Sequence, residues 1–162
     1  MTKTRWLSIE EQRAWRAYLA ATQVLFEHLD RELQRDAGMP HAYYEILVRL
    51  SETDGRALRM SSLAERSSYS RSRLSHAVAR LEAAGWVRRV EFPGDRRGQM
   101  AQLTDEGFAA LAAAAPGHVE AVRTMLFDPL TPEQVEQLRS ISEAIVTAGG
   151  NCAALLEEAP PQ

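Results

Sequence analysis

Residues 60–104 constrain the fold more than any other part of the chain, because one glycine within them separates a helical pattern from a strand pattern. Ahead of Gly85, apolar side chains recur at the spacing of a helix. Beyond it, β-branched and aromatic side chains surround a Pro-Gly turn signal. The predicted elements are two helices, at residues 61–66 and 71–84, and two strands, at residues 86–92 and 99–103, with a turn at 93–98.

The second predicted helix has an apolar face and a polar face. The apolar face follows the spacing i, i+3, i+4, i+7 and should pack inward; it consists of Leu74, Ala77, Val78 and Leu81. The opposite face carries no acidic side chain and no bulky apolar one, and Ser70 can cap the helix. Short side chains and hydrogen-bond donors suit a helix whose N-terminal end enters the major groove of DNA. A surface helix that is merely solvated is the alternative.

The predicted turn presents two arginines beside a carboxylate. Asp95 precedes Arg97 by two residues, with Arg96 between them, so it can brace that guanidinium across the turn. A braced arginine loses less entropy when it enters a narrow minor groove. The alternative is an exposed ion pair worth roughly 0 to 1 kcal/mol. Because the turn follows a helix with a donor face, we favour the first interpretation and predict a winged helix, a DNA-reading layout.

The predicted DNA contacts lie on the second helix and on the turn. Residues 70–76 would enter the major groove, and the two arginines of the turn would lie in or near the adjacent minor groove. Asp95 would brace the wing. The predicted contact residues are Ser70, Arg71, Ser72, Arg73, Ser75, His76, Arg80, Arg96 and Arg97.

Short motifs in this stretch resemble those of the MarR (multiple antibiotic resistance regulator) family. Residues 95–104, DRRGQMAQLT, fit its D-x-R-x5-L-T wing pattern, with Arg97 at the position of the wing arginine. Residues 81–87, LEAAGWV, resemble its junction between recognition helix and wing, and residues 61–64 and 105–107 resemble the flanking segments. The resemblance implies a dimeric winged helix-turn-helix regulator of a near-palindromic operator, often released by a small ligand or by oxidation.

The distribution of charge supports a nucleic-acid partner better than the net charge of −3 does. Residues 59–97 hold nine arginines against four acidic residues, a local balance of +5 that leaves −8 for the remainder. A basic segment on an acidic body is typical of a nucleic-acid-binding protein. A winged helix that binds protein instead is the alternative function, and it would require apolar side chains on the exposed face of the second helix.

Several other classes of protein find little support in the sequence. No apolar run is long enough to cross a bilayer and the N-terminus lacks a signal peptide, so we expect a cytoplasmic protein. The single cysteine, Cys152, excludes an internal disulfide framework and a cysteine-based zinc site. The histidines have no metal-ligand spacing, and nucleotide-binding and hydrolase motifs are absent from the sequence. We therefore predict no enzyme activity, no metal and no cofactor.

The rest of the chain predicts helices that form a dimerisation layer. Ser8 and Glu11 form a capping box for a long first helix that stops near Gly38. Pro40 begins a second helix, with Tyr44, Leu47, Val48 and Leu50 inward, which should end at residues 54–55. Thr104 caps a later helix that Pro116 must bend or break, and Thr131, Pro132 and Gln134 open the last one, which ends at Gly149.

We expect a mainly α (α+β) fold with one domain over residues 1–162. The dimerisation helices would occupy residues 8–37 and 105–150, and residues 151–162 would form a tail. A winged helix-turn-helix lobe would occupy residues 40–104, with a three-stranded wing sheet completed by a short strand at 56–60. The function hypothesis is a homodimeric transcriptional repressor that binds double-stranded DNA.

Aromatic and polar residues near the junction of the two layers suit a small-molecule effector. In the family that the chain resembles, effectors commonly bind in a cleft between the dimerisation helices and the DNA-reading lobe. A cation beside aromatic rings would suit an aromatic carboxylate or a phenol, although core or surface packing is the alternative for each residue. The chain departs from the pattern of the family's redox-sensing members, because its first helix contains no cysteine. The predicted effector residues are Trp15, Arg16, Tyr18, His41, Tyr43 and Tyr44.

Overall fold

The computed structural model describes residues 4–67, 69–92 and 95–149, leaving out the side chains of residues 95–97, and over these ranges it contains six α-helices and one three-stranded sheet. The helices are α1 Ile9–Ala37, α2 His41–Ser51, α3 Met60–Arg66, α4 Arg71–Ala83, α5 Asp105–Val122 and α6 Pro132–Ala148. The strands are β1 Ala57–Arg59, β2 Val87–Phe92 and β3 Asp95–Leu103. The predicted mainly α fold with a three-stranded wing sheet is confirmed.

The sheet is antiparallel, with β3 between β1 and β2. Gln102 of β3 pairs with both Ala57 and Arg88, so the short strand ahead of α3 completes the sheet as predicted. The predicted turn at 93–98 was too long, because β3 already begins at Asp95, opposite Phe92. A register shift between Glu91 and Phe92 makes this possible.

The core lies between α2, α3, α4 and the inner face of the sheet. The four predicted inward residues of α4 are all buried, against Leu63 of α3 and Val87 and Ala101 of the sheet. In α2, Tyr44, Leu47 and Leu50 are buried as predicted and Val48 is partly so; the sequence interpretation missed Ile46, which is fully buried. This core fixes the side of α4 that remains in solvent.

Helix α2 ends at Ser51, earlier than the predicted stop at residues 54–55. A 3₁₀ turn at Asp54–Arg56 follows, with Gly55 at φ 66° and Arg56 at φ 52°. The guanidinium of Arg56 lies 3.9 Å from the ring centre of Phe108 and makes a 3.3 Å ion pair with Asp105. These two contacts hold a non-glycine residue in the left-handed region, where it is uncommon.

Helix α1 begins and ends as predicted. The Ser8 amide donates to Glu11 Oε2 at 2.7 Å and the Glu11 amide donates to Ser8 Oγ at 3.1 Å, which completes the capping box. At the other end, Gly38 adopts φ 63° and its amide donates to the Gln34 carbonyl. The only side chains of α1 that are buried are Leu29 and Leu33, both in its last third. The rest of the helix extends beyond the core.

Helix α5 starts at a tight contact with the end of the reading lobe. Thr104 caps it by accepting from the Gly107 amide at 3.0 Å, and its hydroxyl donates to the Gly85 carbonyl at 2.7 Å. The Thr104 amide also donates to the Trp86 carbonyl at 3.0 Å. A Cβ added at Gly107 would lie 2.1 Å from that same carbonyl oxygen, so the approach of α5 requires glycine there.

Helix α5 was predicted to bend or break at Pro116, and it does not break there, because it continues through this residue to Val122 and then into a π-helical turn at Arg123–Phe127. Pro116 removes the helical donor of the Ala112 carbonyl. Both residues are exposed, so water can reach that carbonyl and the helix tolerates the loss. The π-helical turn ends at Phe127, just ahead of Asp128 and Pro129.

Helix α6 has the predicted start and an unburied apolar stripe. Thr131 and Gln134 form a capping box, with Pro132 in the first turn, and Gly149 follows the helix. The stripe of Val135, Leu138, Ile141 and Ile145 includes no buried side chain, and Ile141 and Ile145 are 57% and 51% exposed. Within the described part of the chain, no helix is long and apolar enough to span a membrane.

A candidate nucleic-acid interface

Helix α4 presents the predicted donor face to solvent. Ser70 caps the helix by accepting from the Arg73 amide at 3.2 Å, which orders the first turn. Amides that lack partners at such a helix start favour a phosphate oxygen. The exposed side chains of α4 that the sequence predicted as DNA contacts are Arg71, Ser72, Arg73, Ser75, His76 and Arg80.

Tyr69 supports the first turn of α4, a contact that the sequence interpretation missed. The guanidinium of Arg73 lies 4.6 Å from the ring centre of Tyr69, whose hydroxyl donates to Glu45 Oε2 at 3.4 Å. Burial and the charge of Glu45 raise the pKa of Tyr69, so the phenol stays protonated and can donate. The only local signal was an aromatic residue just before the cap. Tyr69 therefore links α2 to the predicted DNA-binding face.

A polar groove of about 530 Å³ lies between the start of α3, helix α4 and strand β3. Arg59, Arg71, Ser75 and Gln99 are among its lining residues. The Arg59 guanidinium lies 3.5 Å from the ring centre of Phe92, which braces it across the sheet. Arg59 thus adds a cation between helix and wing that the sequence interpretation did not assign to the interface.

The wing arginines continue the sheet. Residues 95–97 belong to β3, so Asp95, Arg96 and Arg97 lie at the end of the hairpin beside Phe92. Their side chains lie outside the described part of the structure, as does the backbone of residues 93 and 94. The bracing of Arg97 by Asp95 therefore stays a prediction.

The predicted effector residues fall into two groups. Trp15 stacks on Tyr18, with ring centres 6.3 Å apart, on the exposed upper part of α1 near the exposed Arg16. Nearer the end of α1, the ring centre of Phe26 lies 5.7 Å from that of the half-buried His41 of α2. Helix α2 also contributes the partly buried Tyr43. The structure does not bring Trp15 to this lower group, because Trp15 and Phe26 are separated by about 16 Å along the axis of α1 at the rise of an α-helix.

His118 of α5 completes the lower group and was missed from sequence. Its ring centre lies 5.5 Å from that of His41 and 4.3 Å from that of Tyr44. Burial, and to a smaller extent the neighbouring His41, lowers the pKa of His118, so its imidazole is neutral at neutral pH. Burial, followed by the charge of Glu52, raises the pKa of Tyr44. No local pattern marks His118; only the packing of α5 on α2 brings it here.

Metal binding gains no support from the part of the chain that the structure describes. Over those residues, no three His, Cys, Asp or Glu side chains are grouped so that they could hold a metal ion. Cys152 lies outside the described residues.

A capped helix with an exposed donor face, a helix before it and a basic antiparallel hairpin after it together define a winged helix-turn-helix DNA-binding transcriptional regulator. The sequence profile of the MarR family matches residues 37–98. The chain is 57% identical to the MarR family transcriptional regulator Sco3205 of Streptomyces coelicolor, whose crystal structure is a complex with DNA. That match has a TM-score of 0.86 and covers 88% of this chain and 89% of the other. The chain belongs to the MarR family of transcriptional regulators.

Two further relatives support the assignment. The structure of AbsC, a MarR family transcriptional regulator from Streptomyces coelicolor, matches with 42% identity and a TM-score of 0.84, over 90% of this chain and 97% of that one. The HTH-type transcriptional regulator PecS of Dickeya dadantii (strain 3937) is 44% identical over 70 residues. This alignment covers 43% of the chain and spans 42% of the length of PecS.

Proposed function

We propose that the protein is a homodimeric repressor that binds a near-palindromic operator in double-stranded DNA and is released by a small ligand. The exposed face of α4 carries the proposal. Three arginines, two serines and one histidine lie there in solvent, and no acidic side chain lies among them. The exposed large hydrophobic side chains of the described residues lie outside α4, which argues against a protein-binding reading face.

In the proposed complex, the first two turns of α4 lie in the major groove, where Ser, Arg and His side chains can read base edges. The wing arginines reach the adjacent minor groove. Arg97, at the position of the family's wing arginine, is the main contact there, and Asp95 braces it. Two-fold symmetry would set the half-sites about 34 Å apart, one turn of the duplex.

The apolar side chains of α1 and α6 support the dimer. Trp6, ahead of α1, is 87% exposed, and more than half of the surface of Ile141 and Ile145 is also exposed. The described part of α6 buries no side chain, although its stripe is apolar. A second copy of the chain, presenting the same surface around a two-fold axis, would cover this stripe and the upper part of α1. Residues 8–37 and 105–150 would then form the dimerisation layer.

The proposed effector binds where the dimerisation helices meet the reading lobe. His41 and Tyr44 of the predicted set contact side chains of α1 or α5 at this junction, and Tyr43 lies beside them on α2. Trp15, Arg16 and Tyr18 lie nearer the start of α1. Imidazole and phenol groups among aromatic rings suit an aromatic carboxylate or a phenol. A ligand that binds more tightly to a dimer conformation with another separation of the two winged helix-turn-helix lobes would weaken operator binding. The difference in ligand affinity between the two conformations is sufficient for this effect.

The relatives are transcriptional regulators, which agrees with a protein that is not an enzyme. We further propose that it acts in the cytoplasm, because its proposed partner is chromosomal DNA. The described part of the chain has no membrane-spanning helix. No cofactor is required by the proposal.

The test selects preferred duplexes from a random pool with the purified full-length protein. Affinities for the selected and a scrambled duplex are then measured by fluorescence anisotropy over a salt series. We expect a palindromic consensus, preference for it of about a thousandfold or more, and affinity that falls linearly with salt on a log–log plot. The proposal is contradicted if the protein does not bind duplex DNA at low salt, or if it binds all sequences with equal affinity. Repression is tested by transcription in vitro from a promoter that overlaps the selected site.

A further inference from the structure

Arg89 of β2 contacts two separate points of helix α4. Its Nη2 donates to the backbone carbonyl of Ser75 at 3.1 Å and to the Ser75 hydroxyl oxygen at 3.4 Å. Its Nε lies 3.1 Å from Glu82 Oε2, an ion-pair contact that is not aligned as a hydrogen bond. The Arg89 amide, in turn, donates to Glu82 Oε1 at 3.1 Å. One strand residue is therefore held at the middle and at the last turn of α4.

The contacts between Arg89 and Glu82 are partly sheltered from solvent. The side chains of Arg89 and Glu82 are 29% and 32% exposed, and the Arg89 Nε is buried. An ion pair at such a site is screened less than one on the open surface. Arg89 points to the inner face of the sheet because it pairs with Ala101, which is fully buried.

The neighbouring Arg88 has contacts that can be compared with those of Arg89. It lies on the opposite face of the same strand, is exposed, and its Nε donates to Gln102 Oε1 at 2.9 Å. Gln102 is its own cross-strand partner, so Arg88 makes this contact within the sheet. Two adjacent arginines thus carry the same charge but lie on opposite faces of the strand, and Arg89 contacts α4 whereas the contact described for Arg88 lies within the sheet.

We infer that Arg89, with Glu82, is a positioning residue that sets the angle between the recognition helix and the wing and thereby determines operator specificity. A guanidinium has no acceptor, so the Ser75 hydroxyl that accepts from Arg89 keeps its own hydrogen for an outside acceptor. The wing also meets α4 at these contacts, so α4 and the wing would enter the two grooves at one relative orientation. The inference rests on the proposed DNA-binding function.

The experiment compares full-length wild type with Arg89→Ala, Arg89→Lys, Arg88→Ala and Glu82→Gln. Each protein is titrated against the duplex selected by wild type and against a scrambled duplex of equal composition, over a salt series. Circular dichroism and analytical ultracentrifugation establish that each variant keeps the helix content and oligomeric state of wild type. Where Arg89→Ala fails to fold, Glu82→Gln decides, because it removes the charge of the pair while preserving its shape.

We expect Arg89→Ala to lower the ratio of specific to non-specific affinity by about tenfold, the effect of losing one good base contact, without changing the salt slope. Arg89→Lys should keep non-specific affinity but not restore the ratio, because an ammonium cannot repeat the two-point contact. Glu82→Gln should lower the ratio less than Arg89→Ala does. Arg88→Ala should leave the ratio at its wild-type value.

Three results would overturn the inference. One is an unchanged ratio in Arg89→Ala or, where that variant does not fold, in Glu82→Gln. Another is equal loss for both duplexes with a salt slope reduced by about one, which would make Arg89 a phosphate contact. The third is an equal fall of the ratio in Arg88→Ala, which would reduce the effect to charge. A wild type that selects no duplex is a different failure: the proposed function falls, and the inference falls with it.

Discussion

The imidazole of His118 lies against the ring of Tyr44, with ring centres 4.3 Å apart, and its Nδ1 is buried without a hydrogen-bond partner among the described residues. The pair joins α5, which belongs to the predicted dimerisation layer, to α2, which belongs to the reading lobe. A protonated imidazole would need a hydrogen-bond acceptor or water at this atom. Protonation of His118 should therefore act on the contact between the two layers.

The first prediction concerns the pH dependence of stability. The folded protein lowers the pKa of His118 below its ordinary value of 6.5, mainly through burial. The unfolded chain then binds the proton more tightly, so the contribution of neutral His118 is present above pH 6.5 and is lost as pH falls from there through the folded pKa. His118→Phe should melt with a smaller loss of Tm between pH 7 and pH 5 than wild type, the pH range in which an ordinary histidine titrates.

Three other titratable groups lie near His118. His41 faces it from α2. Glu32 and Asp36 of α1 line a small cavity together with His118, and both carboxylates make ion pairs with Arg35. Melting curves at pH 8 provide the baseline difference between the two proteins. Equal losses of Tm on acidification would show that His118 does not titrate within the folded protein.

The second prediction concerns the wing. Arg97→Ala should leave the dimer intact and weaken operator binding about tenfold, because a minor-groove arginine is lost. Arg35→Ala is the control: it removes the same charge at the far end of α1, where Arg35 pairs with Glu32 and Asp36. Both affinities are read by gel shift. Unchanged operator affinity in Arg97→Ala would remove the wing from the binding mechanism.

The third prediction concerns base readout by α4. His76 is exposed on the donor face, so His76→Ala should relax the base preference more than it weakens non-specific binding. The check is a second selection from the random pool, aligned with that of wild type. A uniform loss of affinity for every duplex would mean that His76 contacts only the DNA backbone.

The fourth prediction concerns the dimer. Deleting the residues after Leu130 should yield monomers by analytical ultracentrifugation, because it removes all of α6. The double substitution Ile141→Glu and Ile145→Glu should do the same while leaving the helix content in place. Thr147→Glu, on another side of α6, is the matched control and should remain dimeric. A dimer that survives both the deletion and the double substitution would mean that the interface lies elsewhere.

The fifth prediction concerns two glycines of α5 with opposite expectations. Gly107→Ala should destabilise the protein by about 1–3 kcal/mol, because its Cβ would meet the Trp86 carbonyl oxygen at 2.1 Å and backbone cannot move aside cheaply. Gly117→Ala meets nothing closer than 3.8 Å and should stabilise the helix by about 0.5–1 kcal/mol. Chemical denaturation gives both values. Equal effects of the two substitutions would contradict the close approach at Trp86.

The parts of the fold that depend on near neighbours in the chain were predictable. The caps at Ser8, Ser70, Thr104 and Thr131 and the buried face of α4 agree with expectation, because helix starts and helical stripes are set within a few residues. The start of β3 at Asp95 was not predictable, since it depends on pairing with β2 across a register shift. Nor was the continuity of α5 through Pro116, which depends on solvent at the Ala112 carbonyl.

The candidate site divides in the same way. The exposed donors of α4 follow from helical periodicity. The wing arginines follow from the turn signal after β2 and from the resemblance of residues 95–104 to a known motif. Contacts between elements could not be foreseen. Arg89 meets Ser75, Tyr69 meets Glu45 and His118 meets Tyr44 only because packing brings separate segments together.

The tight start of α5 has a mechanical consequence. Thr104 and Gly107 hold the first turn of this helix against the backbone of Gly85 and Trp86, at the exit from the recognition helix. A hinge at this point would have to break two hydrogen bonds and open a contact that admits no side chain. Helix α5 and the winged helix-turn-helix lobe should therefore move as one rigid unit. In the proposed dimer, a small tilt of α5 would then produce a larger displacement of α4 along the duplex.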